Sequence, residues 1–312
     1  MRILVTGGAG FIGSHLIADL QNDGFLTMGL DNYNDILYDP SMKEDRVAFM
    51  DIGVQRVDMT HFPSLDDAFS IVKPNIVIHL GALAGVRDSF GKERDYIKNN
   101  IDATQNLIDC CKMYNVSRVL YASSSSVYAG SPLPFREDCV TGDQLNPYAY
   151  TKRCNEMMFK SSGLDTVGMR FFTVYGDWGR PDMALMSFTH NIAKGIPIKA
   201  YNNGKMKRDF THISDIIAGI KTILFNETPE GEIYNIGRGK SVKLLDFIEC
   251  IGDNMGRKPI IDLVPKHPAD IVDTHSDITK LKKLGYKPLV DMEQGVDAFV
   301  RWFKEYYYVD WI

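Results

Sequence analysis

The 312-residue sequence contains no run of 18 apolar residues, no excess of basic charge and no cysteine pair at metal-binding spacing. Without the apolar run there is no candidate for a membrane-spanning helix. With 35 Lys and Arg against 40 Asp and Glu, the net charge is -5, and nothing suggests the basic face of a nucleic-acid binder. The five cysteines, Cys110, Cys111, Cys139, Cys154 and Cys250, are odd in number and lack CxxC spacing, so free thiols in a reducing compartment are expected and no metal is. The opening Arg2-Ile3-Leu4-Val5 runs straight into glycines and lacks the apolar stretch of a secretory leader, which makes the expected location cytoplasmic. Internal repeats and low-complexity tracts are also missing, apart from Ser123 to Ser126. The remaining composition, 45% hydrophobic and 24% charged residues, is that of a globular protein long enough to bury a substantial core.

Short apolar runs recur through the first half: Ile3-Leu4-Val5, Leu26 to Leu30, Val54 to Val57, Ile76-Val77-Ile78, Val119-Leu120-Tyr121 and Val167-Gly168-Met169. Helix-like stretches lie between them at Phe11 to Gln21, Ser64 to Val72, Asp95 to Tyr114 and Tyr148 to Ser161. Strands that are apolar on both faces and alternate with helices predict a parallel sheet covered on both sides, an α/β fold. After about residue 174 the pattern loosens into turns and shorter helices near Met183 to Lys194, Ile213 to Phe225 and Leu244 to Met255. The tail from Val296 to Ile312 carries Trp302, Phe303, Tyr306, Tyr307, Tyr308 and Trp311, and reads as an amphipathic helix packed on the core.

Thr6-Gly7-Gly8-Ala9-Gly10-Phe11-Ile12-Gly13 follows the first strand and opens the first helix. Gly7 allows a tight turn, Gly10 a close backbone approach to a pyrophosphate, and Gly13 close packing of helix on sheet. The helix start offers unpaired N–H groups and partial positive charge to phosphates. Asp31 ends the next strand, where a carboxylate accepts hydrogen bonds from a ribose diol and repels a 2′-phosphate, favouring NAD over NADP. A glycine-rich turn without ligand is the plainer alternative. Asp58, after the third strand, either faces the adenine edge or is a solvated turn residue. Gly81, Ala82 and Leu83 leave room for a cofactor or serve ordinary strand-end packing.

Tyr148 and Lys152 stand four apart and share a helix face. A phenol of ordinary pKa near ~10 is a poor base at neutral pH. A nearby ammonium and a cationic nicotinamide both favour the phenolate, so the expectation is a lowered pKa and a general base. The serines Ser123 to Ser126, ending the fifth strand, offer a hydroxyl to hold a substrate oxygen, or else cap a strand-end turn.

With these residues in view, the chain resembles the extended short-chain dehydrogenase/reductases, specifically the nucleotide-sugar epimerases. The resemblance rests on the glycine loop, Leu30-Asp31-Asn32, His79-Leu80-Gly81-Ala82, Asn99-Asn100, Ser123 to Tyr128, the Tyr148/Lys152 pair and Arg208-Asp209-Phe210. Three strings resemble the UDP-glucuronate 4-epimerase branch: Asp31 to Asp35, Ala84-Gly85-Val86-Arg87, and Arg170 to Ala184. The resemblance implies a Rossmann doubly wound parallel sheet over residues 1–173, with a segment near 205–240 returning to it. It implies a smaller mixed α/β lobe over 174–312 that holds a UDP-sugar. A homodimer through the two long helices comes from the same analogy.

Residue by residue, the resemblance gives Ser124, Tyr148 and Lys152 the catalytic roles. It places Gly7, Gly10, Phe11, Ile12, Gly13, Asp31, Asn32, Asp58, Leu80, Ala82 and Asn99 at NAD, with Tyr148 and Lys152 touching it and Tyr175 closing its nicotinamide side. Ser125 and Ser126 would lie beside the sugar, Thr173 and Arg180 would hold its carboxylate, Arg208 would clamp the UDP diphosphate, and Arg87 and Asp270 would serve the substrate, Asp270 at a ribose. Lys266-His267-Pro268-Ala269-Asp270 departs from the family's Pro–Gly–Asp turn, with alanine in place of glycine, and the segment before Tyr148 is shortened.

The implied reaction is C4 epimerisation of UDP-glucuronate to UDP-galacturonate through a 4-keto sugar, with NAD regenerated each turnover. A cation and hydroxyls pinning the carboxylate would suppress loss of CO₂ from the β-keto acid. Related decarboxylases carry a glutamate where Ser126 stands. The alternatives on this scaffold are UDP-glucose/galactose epimerisation, decarboxylation and dehydration, and, from another class, a non-catalytic NAD-binding scaffold.

Overall fold

The computed structural model describes residues 1–268 and 270–307. Seven strands form one sheet: β1 (Arg2–Thr6), β2 (Leu26–Asp31), β3 (Val54–Arg56), β4 (Ile76–His79), β5 (Arg118–Ser124), β6 (Thr166–Phe171) and β7 (Ile233–Ile236). Their order is β7-β6-β5-β4-β1-β2-β3, and every neighbouring pair is parallel. The chain winds outward from β1 in both directions, so the connections leaving β1 and β4 diverge and open a crevice at the strands' carboxyl ends.

Side-chain alternation covers both faces. Ile3, Val5, Ile78 and Leu120 enter one core with helices Phe11–Asn22 and Ile213–Phe225. The residues between them, Leu4, Val77, Val119 and Tyr121, enter the opposite core with helices Phe62–Val72, Ala103–Met113 and Pro147–Ser161. Period-2 strands buried on both sides are the structure that near-continuous apolar runs predict. A third core, with Trp178, Leu185, Ile198, Phe210, Phe247, Val296 and Phe299, lies beneath the later helices Ala184–Lys194, Leu244–Met255 and Met292–Tyr306. Short strand pairs join that region, among them Phe210–His212 parallel to Thr173–Tyr175 and Ile261–Leu263 parallel to Ile198–Ala200. Among the described residues no helix is long and apolar enough to cross a membrane.

Three elements depart from the sequence expectations. The expected helix from Asp95 to Tyr114 is interrupted: Glu93–Ile97 and Ala103–Met113 are joined by a π-helical turn, Lys98–Asp102. That turn carries the buried Asn100, whose amide accepts from Leu83 N–H at 2.7 Å and donates to Leu83 C=O at 2.9 Å and to Thr151 Oγ1 at 3.0 Å. A helix at Ser41–Met50 had no apolar signal because its inward face is Met42, Lys43 and Arg46. The tail helix begins at Met292, earlier than expected, because Asp291 and Gln294 form a capping box; Tyr308 and Trp311 lie outside the described residues.

Candidate active site

The helix Phe11–Asn22 starts at Gly10, which has no side-chain cap, so its first-turn N–H groups lack an intrahelical partner. Two glycines make the turn beneath it. Gly7 has φ +69°, and a Cβ there would meet Gly81 Cα at 2.9 Å; a Cβ on Gly13 would lie 2.2 Å from Gly7 C=O. Backbone crowding therefore excludes any larger residue, and an anion can approach bare N–H groups.

This turn opens into a cavity of about 390 Å³ at the carboxyl ends of β1, β2, β4 and β5. Its wall includes Gly7, Gly10, Phe11, Ile12, Gly13, Asp31, Asn32, Asp58, Leu80, Ala82 and Asn99, then Ser124, Ser125, Ser126, Tyr148, Lys152, Thr173, Arg180, Arg208 and Asp270. Asp31 is buried there, accepting from Tyr33 N–H at 2.8 Å and pairing with Lys43 Nζ at 3.2 Å. Asp58 both lines the cavity and caps its own turn, accepting from Thr60 N–H at 2.9 Å. Asn99 anchors its side chain on Asp95 C=O at 2.9 Å.

At the middle of the cavity, Asn146 caps the helix Pro147–Ser161 by accepting from Ala149 N–H at 2.8 Å, and Pro147 fills its first position. Tyr148 is thus held in the first turn, with Lys152 one turn on. Tyr96 meets the Tyr148 ring edge-on at 6.4 Å and donates its hydroxyl to Gly85 C=O at 3.1 Å. Ser124, the last residue of β5, donates to Ser126 Oγ at 3.1 Å, and its hydroxyl lies near enough to Tyr148 to draw the phenol down. Lys152 is buried, donates to Ala122 C=O at 3.1 Å, and burial lowers its ammonium to about 8. The phenol departs from expectation: burial pushes Tyr148 up, and the opposing pulls are the Ser124 hydrogen bond and the Arg180 charge. The protein's own groups therefore do not by themselves favour the phenolate.

Beyond Tyr148, Arg180 forms an ion pair with Asp182 and donates to Ala84 C=O at 2.9 Å. Arg208 is held by Lys207 C=O at 2.8 Å and Val272 C=O at 3.1 Å, and burial lowers its guanidinium. Arg87 stands behind the wall, bonded to both oxygens of Asp270 at 3.3 and 2.7 Å and lying 3.8 Å over the Tyr201 ring. Tyr175 does not close the cavity. Its ring packs edge-on against Phe210 and Phe247, and its hydroxyl donates to Asp291 C=O at 3.2 Å. Gly295 makes that socket, since a Cβ there would lie 2.4 Å from the Tyr175 oxygen.

Sequence reasoning missed Lys43, Tyr38 and Asn100. Lys43 and Tyr38 line the cavity, from a helix whose inward charges hid it and the loop before it. Asn100 was visible only as part of Asn99-Asn100, and its role depends on the π turn. Asp209 was visible only as part of Arg208-Asp209-Phe210, with no role given: fully buried, it accepts from the N–H groups of Arg238 and Gly239 at 2.9 and 3.1 Å and from Ser276 N–H at 3.0 Å, fixing the backbone beside Arg208.

A glycine-cradled helix start and a Ser/Tyr/Lys triplet in one crevice coincide with the family match. The model of the NAD dependent epimerase/dehydratase family matches residues 3–237. The chain belongs to this family. Within it, a UDP-glucuronate 4-epimerase of Thermodesulfobacterium geofontis is 38% identical over 97% of this chain and 96% of its own length. UDP-glucuronate 4-epimerase 4 of Arabidopsis thaliana is 37% identical over 98% of this chain and 76% of its own. The crystal structure of the Bacillus cereus UDP-glucuronic acid 4-epimerase with UDP-glucuronic acid and NAD superposes with a TM-score of 0.91 at 31% identity, covering 98% of this chain and all of that one.

Proposed function

We propose that this protein is an NAD-dependent UDP-glucuronate 4-epimerase, interconverting UDP-glucuronate and UDP-galacturonate. The observation that carries the reading is the placement of Ser124, Tyr148 and Lys152 between a phosphate-binding helix start and Arg180 in one cavity. The bare N–H groups after Gly10, the small Gly81 and Ala82, and the Asp31 carboxylate fit a dinucleotide. In this reading Gly10, Phe11, Ile12 and Gly13 hold its diphosphate, Asp31, Asn32 and Asp58 its adenosine, and Leu80, Ala82, Asn99 and Lys152 its nicotinamide half. When bound, NAD accepts a hydride from the sugar's C4 and gives it back, so it is unchanged after a turnover.

The protein's part is proton transfer and orientation. Tyr148 takes the proton of the C4 hydroxyl as the 4-keto sugar forms and returns it to the epimeric alkoxide. Ser124, next to Tyr148, offers its hydroxyl to the sugar O4. Lys152 adds positive charge that favours the phenolate once a second cation lies beside it. Arg180 and Thr173, with Ser125 and Ser126, hold the carboxylate out of line with the ketone, which slows loss of CO₂. Arg208 binds the UDP diphosphate, and Arg87 with Asp270 positions the nucleotide.

Residues 1–173, with a segment near 205–240 returning to them, form the cofactor domain in this proposal and 174–312 mainly the substrate lobe. A cytoplasmic homodimer pairs the helical stretch 93–113 and the helix Pro147–Ser161, where Ile97 and Met157 stand exposed; light scattering reads its mass. The purified protein is incubated with UDP-glucuronate and UDP-galactose in parallel and the products resolved by NMR. UDP-galacturonate as main product supports the reading. A pentose nucleotide from UDP-glucuronate, or turnover of UDP-galactose alone, refutes it.

A further inference from the structure

Among the described residues four Lys and Arg side chains are buried: Lys43, Arg46, Lys152 and Arg170. Lys43 pairs with Asp31 and Arg170 with Glu156. Among the described residues, Lys152 and Arg46 have no carboxylate within ion-pair distance. A buried charge without a counter-ion is disfavoured unless something else compensates it. Lys152 faces the cavity, where a ligand accounts for it. Arg46, 0% exposed, is not part of the cavity wall and takes no part in the proton transfer.

Its hydrogen bonds show where it acts. Nε donates to Trp178 C=O at 2.9 Å, Nη1 to Ala9 C=O at 3.3 Å and Tyr38 Oη at 3.2 Å, and Nη2 to Gly179 C=O at 3.4 Å. All four acceptors are neutral. Ala9 precedes the helix cap Gly10, and Gly179 precedes Arg180. Tyr38 lines the cavity, and because its oxygen accepts from Arg46, its own proton is left to donate elsewhere. One planar fork thus spans three segments distant in sequence, a geometry lysine cannot reproduce.

We infer that Arg46 is a positioning residue of the dinucleotide site, tying the phosphate loop, Tyr38 and the turn before Arg180 into one unit, with its charge balanced by the diphosphate of the bound cofactor. The inference rests on the proposed NAD reading. The anion that the bare helix start accepts brings negative charge to the loop Arg46 grips, and in a buried setting such attraction is weakly screened. Arg46 therefore strengthens binding of ligands that carry the diphosphate and is indifferent to those that do not.

The test titrates the full-length protein, freed of nucleotide, with ADP-ribose and with adenosine by calorimetry, for wild type, R46M, R46Q and R46K. R46Q keeps neutral donors and serves if R46M does not fold. The expected result is at least ~10-fold weaker ADP-ribose binding in the two neutral variants, with adenosine changed less than ~2-fold, and R46K, which keeps the charge but not the fork, falling between wild type and the neutral variants. Equal weakening of both ligands would mean that Arg46 only braces the fold, and unchanged ADP-ribose binding would mean that its charge plays no part; either outcome overturns the inference alone. A wild-type protein that binds neither ADP-ribose nor NAD overturns the NAD reading, and the inference with it.

Discussion

The two ends of the cavity are built in opposite ways. The phosphate-loop end comes from one short segment, residues 6–13, with the strand end at Asp31 beside it. At the far end Arg208 and Asp270 stand in the wall, and Arg87, behind it, pairs with Asp270 and lies over the Tyr201 ring, so the contacts join side chains from around residues 87, 201–208 and 270. The first end depends on backbone geometry and tolerates no added atom. The second depends on side-chain chemistry and gives way one contact at a time. Tyr148 lies between them.

That division predicts separable losses. Tyr148→Phe should lower kcat by about 10³-fold, within the usual range for a general base, while bound NAD and UDP-sugar affinity persist. A loss of either ligand in this variant would show that the middle is not independent of the ends. Gly13→Ala places a methyl 2.2 Å from Gly7 C=O. Overpacking of this kind costs about 1–3 kcal/mol, so the melting temperature should fall and the purified protein should carry less NAD. Arg87→Ala should raise KM for the UDP-sugar about 10-fold, the value of one good charged contact, and leave NAD content alone. A change in NAD content there would erase the contrast between the ends.

The smallest effect concerns His79 beneath the cavity. It is fully buried between Thr6 Oγ1 at 2.7 Å and Thr104 Oγ1 at 3.1 Å, and burial lowers it to about 3. The unfolded chain takes up its proton near 6.5 while the folded protein does not, so this contribution to stability is whole above that value and falls with pH toward 3. Between pH 7 and 5.5 the loss is about 1 kcal/mol, readable as a lower urea midpoint that flattens in His79→Gln. A midpoint insensitive to pH in this window would show that His79 is not held neutral.

The same contrast explains how much could be read without coordinates. The sheet and the phosphate loop were legible because alternating apolar strands and spaced glycines are local signals. Tyr148 and Lys152 were legible because four residues make one helix turn. The Ser41–Met50 helix was not, since Lys43 and Arg46 occupy the face where apolar residues would mark it. Tyr175 stands outside the cavity wall because the gap left by Gly295 draws its ring into the third core, a contact 120 residues away in the sequence that no local string shows. The Arg87–Asp270 pair and the Asp209 donor Ser276 each span more than sixty residues of separation, and no spacing rule reaches that far.

The π turn at Lys98–Asp102 holds one residue more than a regular helix of the same rise would need. Deleting one residue there would let the segment relax to ordinary winding, with the helices Glu93–Ile97 and Ala103–Met113 kept in line but the side chains of the turn re-aimed. Asn100 would then swing off Leu83, and the strip of backbone it suspends between two helices would go slack. Tolerance to mutation along this stretch is therefore set by its length: exposed side chains such as Lys98 can be exchanged, but the register cannot.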